Sequence, residues 1–166
     1  RGEVRRSGRH GRDPASAARE HLIDAISRIR REQRSLEARI ATAMVDSAAL
    51  DRALRDQRQL LEKAAHQIAD ALAGARQAAD GAAAGGDGRE AAPYRQAVAG
   101  FAAQLQAVQA SGEQLRRLGT GAAENTEEIR RLLSQSAASL DGTLRAEIEL
   151  LGHLERLDRE RTIAEQ

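Results

Sequence analysis

The sequence lacks several residue types on which compact globular proteins usually depend. It has no cysteine and no tryptophan, and Tyr94 and Phe101 are its only tyrosine and phenylalanine. The absence of cysteine excludes disulfide bonds and thiolate chemistry. Aromatic side chains normally supply much of a globular core, so their scarcity argues against an ordinary globule. β-Branched residues are also few, which disfavours β-strands.

Alanine, leucine, arginine, glutamate and glutamine dominate what remains. Charged residues make up 31% of the 166 residues, and the apolar 41% is mostly alanine and leucine. This mixture is typical of coiled coils and long helices, and the length suits one domain. No apolar run approaches the roughly 20 residues that a membrane-spanning helix needs. The composition therefore predicts an all-α protein.

Positive charge is concentrated at the beginning of the chain. Within residues 1–12, which we call the basic leader, five arginines stand against Glu3: Arg1, Arg5, Arg6, Arg9 and Arg12. One interpretation is a disordered leader, because a charged, Gly-containing segment buries too little to become ordered. The other is an arm that contacts an anionic surface, either lipid or nucleic acid, without sequence-specific nucleic-acid recognition.

A first long helix is predicted from about residue 14 to residue 79. Asp13-Pro14 is a typical helix start, because Asp accepts from free N–H groups and Pro suits the first helical position. Apolar residues then recur at alternating steps of four and three, a heptad pattern typical of a coiled-coil seam. Only Gln33, Ser47 and Gln57 are polar among the positions, which are Leu22, Ile26, Ile29, Gln33, Leu36, Ile40, Ala43, Ser47, Leu50, Leu54, Gln57, Leu61, Ala64, Ile68, Ala71 and Ala75.

A second helix is predicted over about residues 93–166. The same steps from Tyr94 give Val98, Phe101, Leu105, Val108, Gly112, Leu115, Gly119, Ala122, Thr126, Ile129 and Leu133, followed after a frame slip by Ala137, Leu140, Leu144, Ile148, Leu151 and Leu154. Gly119 and Gly121 weaken this helix, and Asn125-Thr126 offers a local restart. We expect one continuous helix with a kink there, although the sequence leaves a break open.

The segment "GAAAGGDGREAAPY" (residues 81–94) separates the two helices and allows three interpretations: an interdomain linker, a phosphate-binding loop or the tip of a hairpin. The pattern "GDGREA" is close to a dinucleotide-binding loop, but that motif requires a preceding strand, and none is predicted. A linker is disfavoured because neither flanking helix can bury its apolar stripe alone. The sequence therefore predicts a long antiparallel two-helix coiled-coil hairpin whose tip spans about residues 80–92.

No arrangement of residues in the sequence indicates catalysis. The four histidines, His10, His21, His66 and His153, are far apart, and two of them without a third ligand make a poor metal site. The carboxylates alternate with arginines, as on the solvated surface of a rod. We expect no enzymatic activity, no cofactor and no metal.

The chain resembles the phage-shock protein A family over residues 12–166. The features that carry the resemblance are the opening "RDPASAAREHLIDAI", the tip Gly86-Asp87, Tyr94, the segment Phe101 to Leu105, Leu115 and the closing "LLGHLERLDRERTIAEQ". In that family an amphipathic membrane helix precedes the hairpin. Residues 1–12 have Val4 as their only large apolar residue and form no such face.

The resemblance implies a non-enzymatic, ESCRT-III-like scaffold of bacterial envelope stress. Such a protein lies in the cytoplasm, homo-oligomerises on anionic lipids at the inner face of the cytoplasmic membrane and maintains or remodels it. Subunits of the family dock near the tip, which makes Gly85, Gly86, Asp87, Gly88, Tyr94 and Phe101 candidate contact residues. The alternatives are a coiled-coil adaptor that inhibits a transcriptional activator, or a purely structural coiled coil.

Overall fold

The computed structural model describes residues 14–43, 46–85, 88–119 and 125–165. Within these ranges the chain forms four helices: α1 (Pro14–Ala43), α2 (Ser47–Ala84), α3 (Gly88–Arg117) and α4 (Thr126–Glu165). No strand occurs in the described ranges, and the prediction of an all-α protein is confirmed. The basic leader, and with it the prediction of its disorder, lies outside the described residues.

The four helices form a bundle in which successive helices run antiparallel. α2 packs against all three other helices, and α4 packs against α1, α2 and α3, whereas α1 and α3 occupy opposite corners and make almost no contact. The predicted two-helix hairpin is not confirmed, because each of its expected long helices is divided in two.

The first division falls at Asp46, between α1 and α2. The backbone N–H of Asp46 donates to the carbonyl of Ala43 at 2.9 Å, and the Asp46 carboxylate accepts from the N–H of Ala49 at 3.2 Å. Asp46 has extended backbone angles and serves as the N-cap of α2. A capped restart satisfies N–H groups that would otherwise lack acceptors, which stabilises a new helix at this residue.

The second division lies between α3 and α4, at the point where the sequence left a break open. α3 ends at Arg117, and Leu118 and Gly119 continue it in one wider, π-type turn. The side-chain oxygen of Asn125 accepts from the N–H of Glu128 at 2.7 Å and caps α4. The expected continuous helix is thus replaced by two helices. α3 begins at Gly88, five residues before Pro93, so the turn after α2 is shorter than the predicted tip.

Most of the predicted seam is buried, although Ser47 is exposed, and the core is wider than a two-helix seam. Ile26, Ile40, Leu50 and Ile68 are all 2% exposed or less. α2 also buries residues outside the predicted stripe, because three helices surround it rather than one: Ala53, Leu60, Gln67, Leu72, Ala79 and Ala82. A broad apolar face of this kind is characteristic of bundle helices, whereas a strict heptad seam is narrower.

Candidate functional site

The predicted tip residues separate into surface and core. Gly85 ends α2 and donates its N–H to the carbonyl of Ala83, and Gly88 begins α3. Tyr94 and Phe101 are 2% and 0% exposed, so neither side chain is available to a partner in the closed bundle. Gly86 and Asp87 lie outside the described residues, as do the five leader arginines, Arg1, Arg5, Arg6, Arg9 and Arg12.

The described histidines do not come together. His21 and His66 are exposed and His153 is half-buried, whereas His10 precedes the described ranges. Among the residues that the structure covers, no group of three or more His, Asp or Glu side chains has a geometry that could hold a metal ion. None of the four helices is long and apolar enough to cross a bilayer.

A partly buried ionic cluster joins α1, α3 and α4 near the end of the bundle where α1 begins. We call it the end cluster (Arg19, Tyr94, Glu155 and Asp158). Arg19 is only 6% exposed, and it donates from Nη1 to Glu155 Oε1 at 2.6 Å and from Nη2 to Asp158. Tyr94 donates its hydroxyl to the other oxygen of Asp158 at 2.7 Å. Ser16 also donates to Glu155, at 3.1 Å. Asp158 therefore connects α1 to α3 through α4.

The end cluster shifts the pKa of Arg19 and the pKa of Tyr94. Burial lowers the pKa of Arg19, but the hydrogen bonds and negative charges of Asp158 and Glu155 outweigh it and leave the pKa raised. Burial, followed by the hydrogen bond to Asp158 and its charge, raises the pKa of Tyr94 to about 12. Arg19 and Tyr94 thus keep their protons near neutral pH, and their hydrogen bonds to the two carboxylates connect the three helices.

A cleft of about 510 Å³ opens beside the end cluster, between α1, α2 and α4. Its walls are mostly small or apolar, and the polar groups come from Arg19, Asp70, Gln77, Asp158 and Arg161. The apolar and glycine lining consists of Pro14, Ala15, Ala18, Leu22, Ala71, Gly74, Ala75, Ala78, Gly81, Leu151 and Leu154. Arg161 donates to the carbonyl of Gly81 at 3.2 Å. The cleft is large enough for apolar side chains of a partner.

Further along the bundle, an uncharged polar layer crosses the core. Gln33 of α1 and Gln57 of α2 exchange two hydrogen bonds, both 2.8 Å long, and are 1% and 0% exposed. Ser136 of α4 lies 3.5 Å from the Gln57 amide nitrogen and 3.0 Å from the hydroxyl of Ser111 on α3. All four helices contribute to this layer.

Between these two levels, Glu147 of α4 is completely buried opposite Gln67 of α2. The amide nitrogen of Gln67 donates to Glu147 Oε2, and the two remaining oxygens, Gln67 Oε1 and Glu147 Oε1, have no hydrogen-bond partner among the described residues. Burial raises the pKa of Glu147 to about 8, against a smaller lowering by the bond from Gln67. If Glu147 carried a proton on Oε1, this hydroxyl could donate to Gln67 Oε1, and both oxygens would then have a hydrogen-bond partner.

The outer surface of α3 carries no charge over a long stretch. Between Arg95 and Glu113, residues 96–112 contain no Asp, Glu, Lys, Arg or His. Seventeen helical residues span about 25 Å. Its exposed stripe, at helical spacing, consists of Gln96, Ala99, Ala103, Gln106 and Ala110, which together we call the α3 face.

Neither the end cluster nor the burial of Glu147 was predicted from the sequence, although part of the signal was present. Arg19 and Gln33 share a heptad position with Ile26 and Ile40, which predicts that the side chains of all four point to the core. Glu147 lies three residues after Leu144 and four before Leu151, a spacing that fits the same helix face. The partner of each polar residue required knowledge of how the four helices pair.

Comparisons with known proteins leave the chain without an assigned family. Its sequence is matched by no protein-family model, by no curated protein and by no solved structure.

Proposed function

We propose that this chain is a non-enzymatic scaffold that associates with further copies of itself at the inner face of the bacterial cytoplasmic membrane, where it maintains or remodels the bilayer. The proposal follows the resemblance to the phage-shock protein A family. The observation that carries the self-association is the uncharged α3 face.

Depletion of charge distinguishes the core of a protein interface from the remaining surface. The α3 face has this property, whereas the exposed positions of α1 include Glu20, Asp24, Arg28 and Arg31. Its alanines are small, so a second helix can approach closely. We therefore assign the α3 face as the contact between copies.

The basic leader supports the membrane location. Its five arginines against one glutamate give a formal charge of +4. Basic residues near an anionic bilayer contribute about 1 kcal/mol each to binding. Because this attraction is electrostatic, it is weakened by salt.

Self-association is tested by light scattering after size exclusion, over a range of concentrations. We expect concentration-dependent oligomers that Ala103→Arg disrupts, because copies would then bring like charges together at the α3 face. Ala41→Arg, at an exposed position on α1, is the matched control and should associate as the native chain does. Equal behaviour of the two variants would overturn the assignment of the face.

Membrane binding is tested by sedimentation with anionic and with neutral vesicles, followed by electron microscopy. We expect the chain to sediment with anionic vesicles and to form rods or rings on them. Removal of residues 1–12 should abolish sedimentation and leave the helical content unchanged. A chain that stays in the supernatant at low salt would contradict the membrane proposal.

The alternative function, an adaptor that inhibits a transcriptional activator, is favoured by the cleft beside the end cluster. A Cβ at Gly74, in the cleft wall, would meet no atom within 4 Å, so Gly74→Leu would fill the cleft without a clash. Gly142→Leu, on α4 and equally open, is the control. A pull-down in which an activator binds the native chain and Gly142→Leu, but not Gly74→Leu, would support the adaptor.

A further inference from the structure

The two antiparallel pairs α1–α4 and α2–α3 share one register. Arg19 of α1 pairs with Glu155 of α4, and Gly119, in the turn that ends α3, lies against Leu54 of α2. Leu54 follows Arg19 by 35 positions, and Gly119 precedes Glu155 by 36. A single hairpin requires steps of about the same length along its two arms, and these two steps differ by one residue. The closed bundle therefore has the register of one long hairpin folded in half.

The heptad frame also continues across both connections at the folded end. Ala43 and Leu50 are buried on either side of the α1–α2 connection and are one heptad apart. Leu115 and Ile129 flank the α3–α4 connection and are two heptads apart. If the helices of each arm ran end to end, the same side chains would still face inward. Neither a shared register nor a continuous frame is needed to build the closed bundle alone.

We propose that this chain forms a domain-swapped dimer, in which two unfolded hairpins lie side by side and the α1–α4 half of one copy packs on the α2–α3 half of the other. The partner is a second copy of the chain. Exchange of identical elements is a low-cost route to dimers, and a short connection such as that between Ala43 and Ser47 favours it.

The swap divides the contacts of the closed bundle into two classes. Contacts between α1 and α4, such as the 3.1 Å pair of Arg30 and Asp141, stay within one chain. Contacts between α1 and α2 become intermolecular, including the 3.2 Å pair of Glu32 and Lys63. The dimer therefore repeats every core contact of the monomer and differs only at the two connections. The swap does not use the α3 face, so Ala103→Arg should not affect it.

Cross-linking in the cysteine-free chain distinguishes the two classes. Glu32 and Lys63 are both exposed, and each is replaced by cysteine in a separate chain (Glu32→Cys and Lys63→Cys). The two variants are mixed, unfolded, refolded together at high concentration and treated with a short bis-maleimide. We expect a covalent dimer. The matched control mixes Arg30→Cys with Asp141→Cys, whose contact remains inside one chain in the swapped dimer. A Glu32–Lys63 yield no higher than the Arg30–Asp141 yield would overturn the proposal.

A second measurement uses the cap of α2. Asp46→Ala removes a cap that the closed form needs and that an end-to-end helix does not. For each chain that loses the cap, we expect the equilibrium constant for dimer formation to rise about five-fold, and the dimer share to rise with it. X-ray scattering of the dimer should give a particle about twice as long as the monomer, whose longest described helix, the 40-residue α4, spans about 60 Å. A dimer no longer than the monomer, or an unchanged dimer share in Asp46→Ala, would count against the swap.

Discussion

Gly100 of α3 lies against Leu150 of α4 so closely that a Cβ at Gly100 would come within 2.8 Å of Leu150 Cδ2. Glycine thus permits a close approach of the two helices at this level. Gly142 is also inside a helix, but a Cβ there would meet nothing within 4 Å. The two glycines form a matched pair for measuring the effect of this contact.

We expect Gly142→Ala to raise the free energy of unfolding by about 1 kcal/mol, because alanine is the better helix former. Gly100→Ala makes the same gain, but overpacking costs about 1–3 kcal/mol. Its free energy of unfolding should therefore lie below that of Gly142→Ala by this amount. Urea unfolding of both variants measures the difference. Equal stabilisation would show that there is room for a methyl group between Gly100 and Leu150.

The paired amides of Gln33 and Gln57 should be energetically coupled. Gln57→Leu leaves the buried Gln33 amide without its partner, which should lower the free energy of unfolding by about 1–3 kcal/mol. The double variant Gln33→Leu/Gln57→Leu removes both polar groups at similar volume. We expect it to be more stable than the sum of the single effects predicts, by about 0.5–3 kcal/mol. Additive effects in this double-mutant cycle would contradict the coupling.

Glu147 should make stability fall with rising pH. The folded protein retains a proton between the ordinary pKa of 4.5 and the raised pKa of about 8, whereas the unfolded chain releases it. The stability contribution of the neutral acid is complete below pH 4.5 and is lost as the pH rises to 8, by about 1.4 kcal/mol per pH unit. The expected penalty at pH 7 is therefore about 3 kcal/mol.

Glu147→Gln tests this pH dependence. The new amide could pair with the Gln67 amide in the way that Gln33 pairs with Gln57. We expect the variant to be more stable than the native chain at pH 7 and above, and the stability difference to shrink towards pH 5. Glu149→Gln, exposed on the same helix, controls for the loss of charge. If both variants changed the pH dependence equally, the burial of Glu147 would not be its cause.

Tyr94, the only tyrosine of the chain, allows a direct titration of the end cluster. Its pKa of about 12 exceeds the ordinary 10, so the stability from its protonated form is complete below pH 10 and is lost between pH 10 and 12. In Asp158→Asn we expect the absorbance midpoint to move towards 10, because the carboxylate charge is gone. It should stay above 10, because burial remains.

Glu155→Gln is the control for this titration, since Glu155 binds Arg19 and Ser16 rather than Tyr94. Its absorbance midpoint should stay near that of the native chain. A midpoint that fails to move in Asp158→Asn would place the hydroxyl of Tyr94 away from this carboxylate.

The division of the first predicted helix shows why periodicity alone could not give the fold. The heptad frame passes through Ala43, Ser47 and Leu50 without interruption, so it fits both one long helix and two that fold back. The local signal was Asp46, a strong N-cap residue followed by Ser47. Whether Asp46 begins a new helix depends on whether α1 can pack against α2 and α4, and this packing is set by the tertiary structure.

Core positions were easier to predict than partners. The seam predicted that Ile26, Leu36 and Ile68 would be buried, and all three are. It did not predict that Leu60 and Leu72 of α2 would be buried too, since these face helices that a two-helix hairpin lacks. The partner of Arg19 or Glu147 follows only from the arrangement of four helices.

The three polar levels of the bundle differ from one another in chemistry. The end cluster holds a guanidinium between carboxylates, Glu147 accepts from the amide of Gln67, and the amides of Gln33 and Gln57 bond to each other. Sliding α2 by one heptad would place Ala64 where Gln57 meets Gln33, and Gly74 where Gln67 meets Glu147. Leucine-rich layers tolerate such a shift, but the Gln33–Gln57 level and the Gln67–Glu147 level would each lose a hydrogen-bond partner. The positions of these polar residues therefore select one alignment of helices whose sequences are of low complexity, because only in that alignment does each polar residue meet its partner.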